Sequence, residues 1–334
     1  MSTIIFIKGN AVMVWSDYHA RLHQLLKNRQ ILPKFSKILV GLSGGQDSLC
    51  LTRLMLDLED KWEWKVAIAH CDHNWTLDQG LAEHIEAIAS NWGVDLYLET
   101  AQDEIPEKEA AARTWRYQVL TDVAMNHGFD YVVTAHTKSD RTETFLYNLI
   151  RGSGSDGLTS LYWKRKLTDE VELVRPLLGF SRQDTGNFCQ KYNLPIWEDS
   201  YNQNKKFARN RIRLDLIPYL QKEFNPQVEN HIAQTAEILR ADREFLDSQA
   251  QLILKEVATN QDTIDCKKLQ DQHLSLQRRV IKLFLGQNLA KMPTFEQIEA
   301  VVNLIDAPNG SQTSSFGGGR AIAVRQNHIV VIRC

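Results

Sequence analysis

Lys37-Ile38-Leu39-Val40-Gly41-Leu42-Ser43-Gly44-Gly45-Gln46-Asp47-Ser48 is a strand, a tight turn and a helix start in twelve residues. Lys37 to Leu42 is a short apolar run, and Leu51, Leu54, Met55 and Leu58 recur beyond it at helical spacing. The glycines between let the backbone turn sharply and bring its N–H groups against an anion. The helix start adds unpaired donors and a positive dipole end. Ser43 and Ser48 can give hydroxyls to the same oxygens, and a charge-assisted hydrogen bond is worth about 1.5–3 kcal/mol, so a handful holds a pyrophosphate. No Gly-Lys-Ser/Thr follows, so this is not a Walker A loop, and it is not G-x-G-x-x-G. A plain junction capped by Ser43 is the bland alternative.

Outward from this loop, strands and helices alternate. Trp64–His70, Leu96–Glu99 and Tyr131–His136 read as further strands. Gln79–Asn91, Glu109–His127 and Glu143–Ile150 read as the helices between and after them. Apolar, β-branched strands alternating with helices predict an α/β domain with a buried parallel sheet covered on both faces. Ligands in such sheets bind beyond the carboxyl ends of the strands. The glycine loop and the histidines of Ala69-His70-Cys71-Asp72-His73 and Ala135-His136 all fall at such ends.

The rest of the chain is read as follows. Arg151–Ser160 is a loop by composition, and Ser200–Arg213 is polar and basic. A catalytic domain over 1–215 and a small, mainly helical domain over 216–334 are expected. The second has helices over Pro226–Ile253, Leu276–Leu285 and Thr294–Ile305, and a terminal hairpin from Arg-Ala-Ile-Ala-Val-Arg and His-Ile-Val-Val-Ile-Arg. Trp62, Trp64, Trp92 and Trp115 read as core.

Composition narrows the class. With 334 residues, 43% hydrophobic, 24% charged, 17 Gly and 8 Pro, the chain is neither fibrous nor largely disordered. No apolar run approaches the ~18 residues of a membrane span. Five scattered cysteines, none in C-x-x-C, argue against zinc, redox dithiol or cluster sites built on that motif, and their odd number favours a reducing cytoplasm. A net charge of −2 confines any nucleic-acid contact to local patches. One such patch is Lys205, Lys206, Arg209, Arg211 and Arg213 with Tyr201 and Phe207 interleaved. A run of this kind is usually a solvated face; beside a site rim it suits a phosphate backbone.

Ser-Gly-Gly-Gln-Asp-Ser resembles the PP-loop of ATP pyrophosphatase-type enzymes, with a Rossmann-like adenine nucleotide alpha hydrolase fold. Within that superfamily the ordered set is similar to the tRNA(Ile)-lysidine synthetases. It comprises His70-Cys71-Asp72-His73, Glu109-Ala110-Ala111-Ala112-Arg113, Arg116-Tyr117, Ala135-His136, Asp140, Glu143-Thr144, Arg151-Gly152-Ser153-Gly154, Gly157-Leu158, Arg175-Pro176-Leu177-Leu178, Glu198-Asp199-Ser200, Arg209-Asn210-Arg211-Ile212-Arg213 and Pro218. The likeness runs from Lys37 to Leu220 and suggests a short form with one appended domain. The chain departs from the family's pattern at Ser139-Asp140-Arg141, where two adjacent acids are usual, at Thr137 and at Asn74-Trp75-Thr76. Residues 1–12 have no counterpart in the family, and Met13 is expected as the first residue.

The resemblance implies that the wobble cytidine of the CAU-anticodon isoleucine tRNA becomes lysidine, using ATP and free L-lysine. AMP is attached to the cytosine O2, and the lysine ε-amine then attacks C2 and expels AMP. At a reference pKa near 10.4 only about one amine in 2,500 is neutral at pH 7, a deficit of about 4–5 kcal/mol. A positioned carboxylate must offset that. Asp47 inside an anion cradle implies Mg²⁺ between it and the phosphates. The expected roles follow. Asp47 and Asp140 hold the metal, and Glu143 orients or deprotonates lysine. Ser43, Gly44, Gly45, Gln46, Asp47, Ser48, His70 and His136 bind ATP. Arg113, Arg116, Lys205, Lys206, Arg209, Asn210 and Arg213 bind tRNA, with Arg113 also at the reacting base. A homodimer is the expected assembly. The competing readings are a tRNA 2-thiocytidine synthetase, an amidotransferase-coupled synthetase, and a nucleotide- or RNA-binding module without catalysis.

Overall fold

The computed structural model describes residues 5–8, 11–75, 78–102, 105, 109–159, 161–197, 205–316 and 318–333. The expected site strings Glu198-Asp199-Ser200 and Tyr201, and Thr76, lie outside them, as does the side chain of Glu109. The chain divides into two compact units, 1–236 and 237–334.

In the first unit the order is β1 (Ile5–Lys8), β2 (Ala11–Val14), α1 (Asp17–Arg29), β3 (Lys37–Gly41), α2 (Gln46–Trp62), β4 (Lys65–Asp72), α3 (Leu81–Trp92), β5 (Leu96–Thr100), α4 (Glu109–His127), β6 (Tyr131–Val133), α5 (Lys138–Ile150), α6 (Ser155–Leu158), β7 (Lys164–Lys166), β8 (Glu172–Val174), α7 (Arg182–Lys191), α8 (Ala208–Arg211) and α9 (Ile217–Glu223). β1 and β2 form a separate antiparallel pair. The other strands make one six-stranded sheet in the order β5-β4-β3-β6-β8-β7, parallel except for β7.

Alternation along each strand sends side chains to two cores. Ile38, Val40, Val66, Ile68, Val133 and Val174 face α1, α2, α3 and α7. Leu39, Ala67, Ala69, Val132 and Leu173 face Leu120, Val123 and Ala124 of α4. Each fully buried aliphatic side chain contributes roughly 1.5–3 kcal/mol, so both faces are strongly specified. The chain leaves β3 toward β4 on one side and returns to β6 on the other. The crevice between the ends of β3 and β6 is therefore the switch point where α/β sheets bind ligands.

Several boundaries differ from the sequence reading. β6 stops at Val133, because Thr134 has left the β3 ladder and Thr137 begins a helix cap. α5 starts at Lys138 rather than Glu143, fixed by a capping box between Thr137 and Asp140. Arg151–Ser160 contains the helical turn α6. A basic run read as a domain edge continues as a helix: α8 passes through a π turn over Ile212–Leu216 into α9. Ile212 and Ile217 pack with Leu146, Leu220 and Ile232, which draws chain beyond residue 215 into the first unit.

The long helix α10 (Val228–Val257) is followed by β9 (Ala258–Asn260), β10 (Thr263–Asp265), α11 (Cys266–Gln270), α12 (Leu274–Asn288), α13 (Phe295–Val302), β11 (Arg320–Arg325) and β12 (His328–Arg333). The expected terminal hairpin is present, turning at Gln326 and Asn327 with φ of 49° and 63°. It belongs to a four-stranded antiparallel sheet in the order β11-β12-β10-β9. β9 and β10 are three residues each, too short to leave a periodic signal. Leu254, Ile264, Leu269, Ile281, Phe284, Leu285, Val301, Ile322 and Ile329 form this unit's core. Among the described residues no helix is long and apolar enough to cross a membrane.

Candidate active site

A cleft of about 430 Å³ opens at the switch point, lined from the ends of β3, β4 and β6, from α4 and α5, and from the α8 region. That is within the ~300–1,000 Å³ typical of small-ligand sites. All its lining residues lie between Gly41 and Arg213.

The glycine loop forms one wall. Gly45, not Ser43, is the N-cap of α2. Gly44 sits at φ +78°, and a Cβ there would lie 2.8 Å from Leu81 Cδ1 and 3.1 Å from Trp197 Cβ. No other residue type fits that position. The Ser43 N–H (3.1 Å) and hydroxyl (3.2 Å) both donate to Ser48 Oγ, which donates to the Gly45 carbonyl at 2.9 Å. Gln46, expected at the nucleotide, lines the cleft, and its side chain donates to the Arg182 carbonyl (2.8 Å) and to Thr185 Oγ1 (3.1 Å), tying the loop to α7.

Asp47 points into the cleft. Arg182 Nη1 donates to it at 3.0 Å and the Thr185 hydroxyl also donates to it. Burial pushes its carboxyl upward, Arg182 opposes this, and the nearby Asp140 adds to the rise. Arg182 and Thr185 escaped the sequence reading. The signal was Ser181-Arg182-Gln183-Asp184, a capping-box spacing that sets Arg182 at the first position of α7. Ser139 accepts the Arg182 backbone N–H at 3.1 Å, so this departure from the family's acid pair positions the arginine. Its neighbour Arg141 turns away from the cleft, donating to the Leu161 carbonyl at 3.1 Å and lying over Trp163.

Asp140 and Glu143 share one face of α5, as their spacing requires. Asp140 Oδ2 accepts the Thr137 N–H (2.7 Å) and hydroxyl (2.8 Å), and Oδ1 accepts from Arg209 at 3.1 Å. Burial would raise its carboxyl, but Arg209, His136, Thr137 and Arg213 together hold it down at about 2. Glu143 is 1% exposed and lies behind this layer, not on the cleft wall. Its carboxylate accepts from Arg209 Nε (2.9 Å) and from Arg213 Nε (2.6 Å) and Nη2 (3.0 Å).

Within the basic patch, Arg209 and Arg213 point inward, four residues apart, line the cleft and pair with the buried acids Asp140 and Glu143. Lys205, Lys206 and Arg211 are exposed. Lys205 pairs with Asp215 at 2.6 Å, and Arg211 donates to the Lys205 and Lys206 carbonyls. Asn210 lines the cleft.

On the α4 side, Arg113 lines the cleft with its guanidinium 5.6 Å above the Tyr117 ring, and Arg116 lines it from the exposed rim. Arg175 is 1% exposed and donates to the Tyr117 hydroxyl at 3.2 Å and to the Tyr162 carbonyl at 2.8 Å. Burial would raise the Tyr117 phenol; Arg175, Arg113 and Arg165 outweigh it and lower it. Trp75 and Trp197 line the cleft. Trp62 and Trp64 stack at 5.2 Å in the first core.

Three histidines reach the cleft. His70 Nδ1 lies 2.7 Å from the Leu42 carbonyl, and burial lowers its pKa against the pull of that carbonyl and Asp72, with Arg116 adding to the fall. His73 stacks on Trp75 (4.7 Å), and burial with Arg116 pushes it down to about 4. His136 Nδ1 meets Thr134 Oγ1 at 3.1 Å, and burial and Arg175 hold it well below the usual range. The Nε2 atoms of His70 and His73 are buried without a partner among the described residues.

The donor set fits a magnesium ion. Asp47 and Asp140 are hard oxygen ligands whose like charges raise one another's cost, and a cation relieves that. Among the described residues no cluster of three or more ligating side chains is present.

Comparison with known proteins agrees with this geometry. A family model described as a PP-loop domain matches residues 15–220, and one described as a TilS-like substrate binding domain matches 258–331. The chain is 50% identical to the tRNA(Ile)-lysidine synthase of Nostoc sp. strain PCC 7120, over 96% of this chain and 98% of that one. It is 47% identical to that of Synechocystis sp. strain PCC 6803, over 93% and 96%. It is 36% identical to the chloroplastic enzyme of Zygnema circumcarinatum, over 84% and 78%. A solved U34-tRNA thiolase from Methanococcus maripaludis superposes with a TM-score of 0.56 at 17% identity, over 67% of this chain and 78% of that one, a likeness of fold. A PP-loop at the switch point, followed through nearly the whole length by close relatives of one kind, places the chain in the tRNA(Ile)-lysidine synthase family.

Proposed function

We infer that this chain forms lysidine on isoleucine tRNA, binding ATP on the glycine loop and joining L-lysine to C2 of the wobble cytidine of the CAU anticodon. One observation supports the reading: the phosphate loop, Asp140, Arg209 and Arg213 line one cleft, with Glu143 buried behind the two arginines. Mg²⁺ on Asp47 and Asp140 would neutralise the phosphates when bound. Arg182, beside the loop, supplies the cation that a Walker lysine would otherwise bring.

The first step transfers AMP to the cytosine O2 and releases pyrophosphate. Arg209 and Arg213 stand where charge develops on the transferred phosphoryl group, and preorganised cations there stabilise it. In the second step the lysine amine attacks C2 and AMP leaves. The acids of α5 draw the ε-ammonium. Glu143 as it stands accepts three hydrogen bonds from two arginines and is no base. Once those arginines turn to the bound phosphate they no longer donate to Glu143, and its carboxylate is left to accept a hydrogen bond from the ammonium. Glu143 thus takes the ammonium proton only after the arginines have engaged the nucleotide. The exposed Lys205 and Lys206 meet the tRNA backbone, and Arg113 and Arg116 approach the anticodon from the α4 rim. The compartment is the cytoplasm, and the assembly a homodimer.

The test is incubation with ATP, radiolabelled lysine and either isoleucine or methionine tRNA bearing CAU. Label entering only the isoleucine tRNA is expected. Label in neither, or in both, removes the reading.

A further inference from the structure

His70 carries an unspent hydrogen-bond acceptor. The ring is 3% exposed and lies at the end of β4 against the first residues of the glycine loop. Its Nδ1 faces the Leu42 carbonyl at 2.7 Å. A carbonyl only accepts, so Nδ1 carries the hydrogen. In the neutral ring Nε2 is then a bare lone pair; it is buried without a partner among the described residues, in a residue that lines the cleft. Buried polar atoms are normally satisfied, and an exception in a ligand cleft marks a place for a ligand group.

We propose that His70 Nε2 is the specificity determinant for the nucleotide base, accepting a hydrogen bond from an exocyclic amino group and so selecting adenine over a 6-oxo purine. Adenine presents its N6 amino donor, whereas guanine and hypoxanthine present O6, an acceptor facing an acceptor. Tautomer choice enforces the selection: Leu42 fixes Nδ1–H, the other tautomer would leave that carbonyl facing a lone pair, and turning the ring over would leave it facing Cδ2–H. Cytosine also carries an exocyclic amine, but the atom belongs to a buried ring held by Leu42, the residue just before the phosphate loop. A free mononucleotide reaches it more readily than a base tethered to a folded RNA. His70 touches substrate in this account. It rests on the placement of ATP proposed above.

Calorimetry on the full-length protein tests it with ATP, ITP and purine riboside triphosphate, without tRNA. ATP is expected to bind about 100-fold more tightly than ITP, because a site built to satisfy one donor rejects its inverse. Purine riboside triphosphate, with hydrogen in place of the amine, should fall between. In His70→Gln, whose amide rotates to offer either oxygen or N–H, the ATP-to-ITP ratio should drop below about 10. Equal binding of ATP and ITP by the unaltered protein overturns the proposal, and so does an undiminished ratio in the variant. If the variant does not fold, the three ligands on the unaltered protein still decide. A second arm uses isoleucine tRNA with uridine in place of cytidine at the wobble position. If His70→Gln relaxes rejection of that tRNA while leaving nucleotide selectivity intact, the acceptor serves the wobble base and the assignment to adenine is wrong. Selective ATP binding without any lysine transfer would instead fail the proposed function and leave this inference standing.

Discussion

The carboxylate of Glu143 and the guanidinium of Arg213, seventy residues apart in the chain, meet at 2.6 Å beneath the floor of the cleft. Two arginines hold a buried acid out of the solvent, and the same acid fixes both arginines at the cleft. Glu143→Gln removes the acceptor charge. Lysine incorporation should fall at least about 100-fold, while tRNA-dependent pyrophosphate release persists. Breaking a buried pair from one side costs up to about 3–5 kcal/mol, so the melting temperature should drop as well. Paired assays of pyrophosphate and labelled lysine check the split; survival of both half-reactions refutes the role of Glu143.

Arg182 sits 3.0 Å from Asp47 at the phosphate loop. Arg182→Gln should weaken ATP and pyrophosphate binding by about 10–100-fold, the worth of one charge-assisted contact. AMP inhibition should be nearly unchanged. Product-inhibition constants for pyrophosphate and AMP separate a lost phosphate contact from general damage, which would move both.

The outward lysines, rather than Arg209 and Arg213, should set the salt dependence of tRNA binding. Replacing Lys205 and Lys206 by alanine is expected to reduce the slope of log affinity against log salt by about 1–2, at roughly 0.7–0.9 per phosphate contact. Filter binding across a potassium chloride series measures this. An unchanged slope places the RNA path elsewhere.

Asp140 is held at about 2 against an ordinary 3.8. A depressed carboxyl stabilises the fold above its unfolded pKa and loses that contribution as pH falls through the folded value. The window here is pH 4 down to 2. The contribution is on the order of 2 kcal/mol at neutral pH. Asp140→Asn should therefore flatten the acid limb of a stability–pH profile from urea unfolding. A limb as steep as before would contradict the pairing with Arg209 and Arg213.

Gly44→Ala combines positive φ with a Cβ 2.8 Å from Leu81. Loss of ATP binding and a lower melting temperature are expected, since the left-handed region alone costs about 1–2 kcal/mol for an L residue. Gly45→Ala, which meets only Ser43 Oγ at 3.8 Å, should be milder. Equal behaviour of the two variants would argue against a close-packed loop.

What the chain determined by itself is local and periodic. The strand Lys37–Gly41, the glycine turn, the helix Glu109–His127 and the spacing of Asp140 and Glu143 follow from apolar alternation and helical pitch, which a sequence displays directly. The ordered motifs even pointed to the right family. Tertiary structure alone decided partnership. That Arg209 and Arg213 turn inward, that the Gln46 side chain bonds to α7, that Arg182 reaches Asp47 across 135 positions and that His70 keeps one nitrogen unpaired among the described residues all depend on contacts between distant segments. Charge and hydrogen-bonding capacity are written residue by residue. Which partner uses them is settled only when the sheet brings separate strand ends and helix starts to a common crevice.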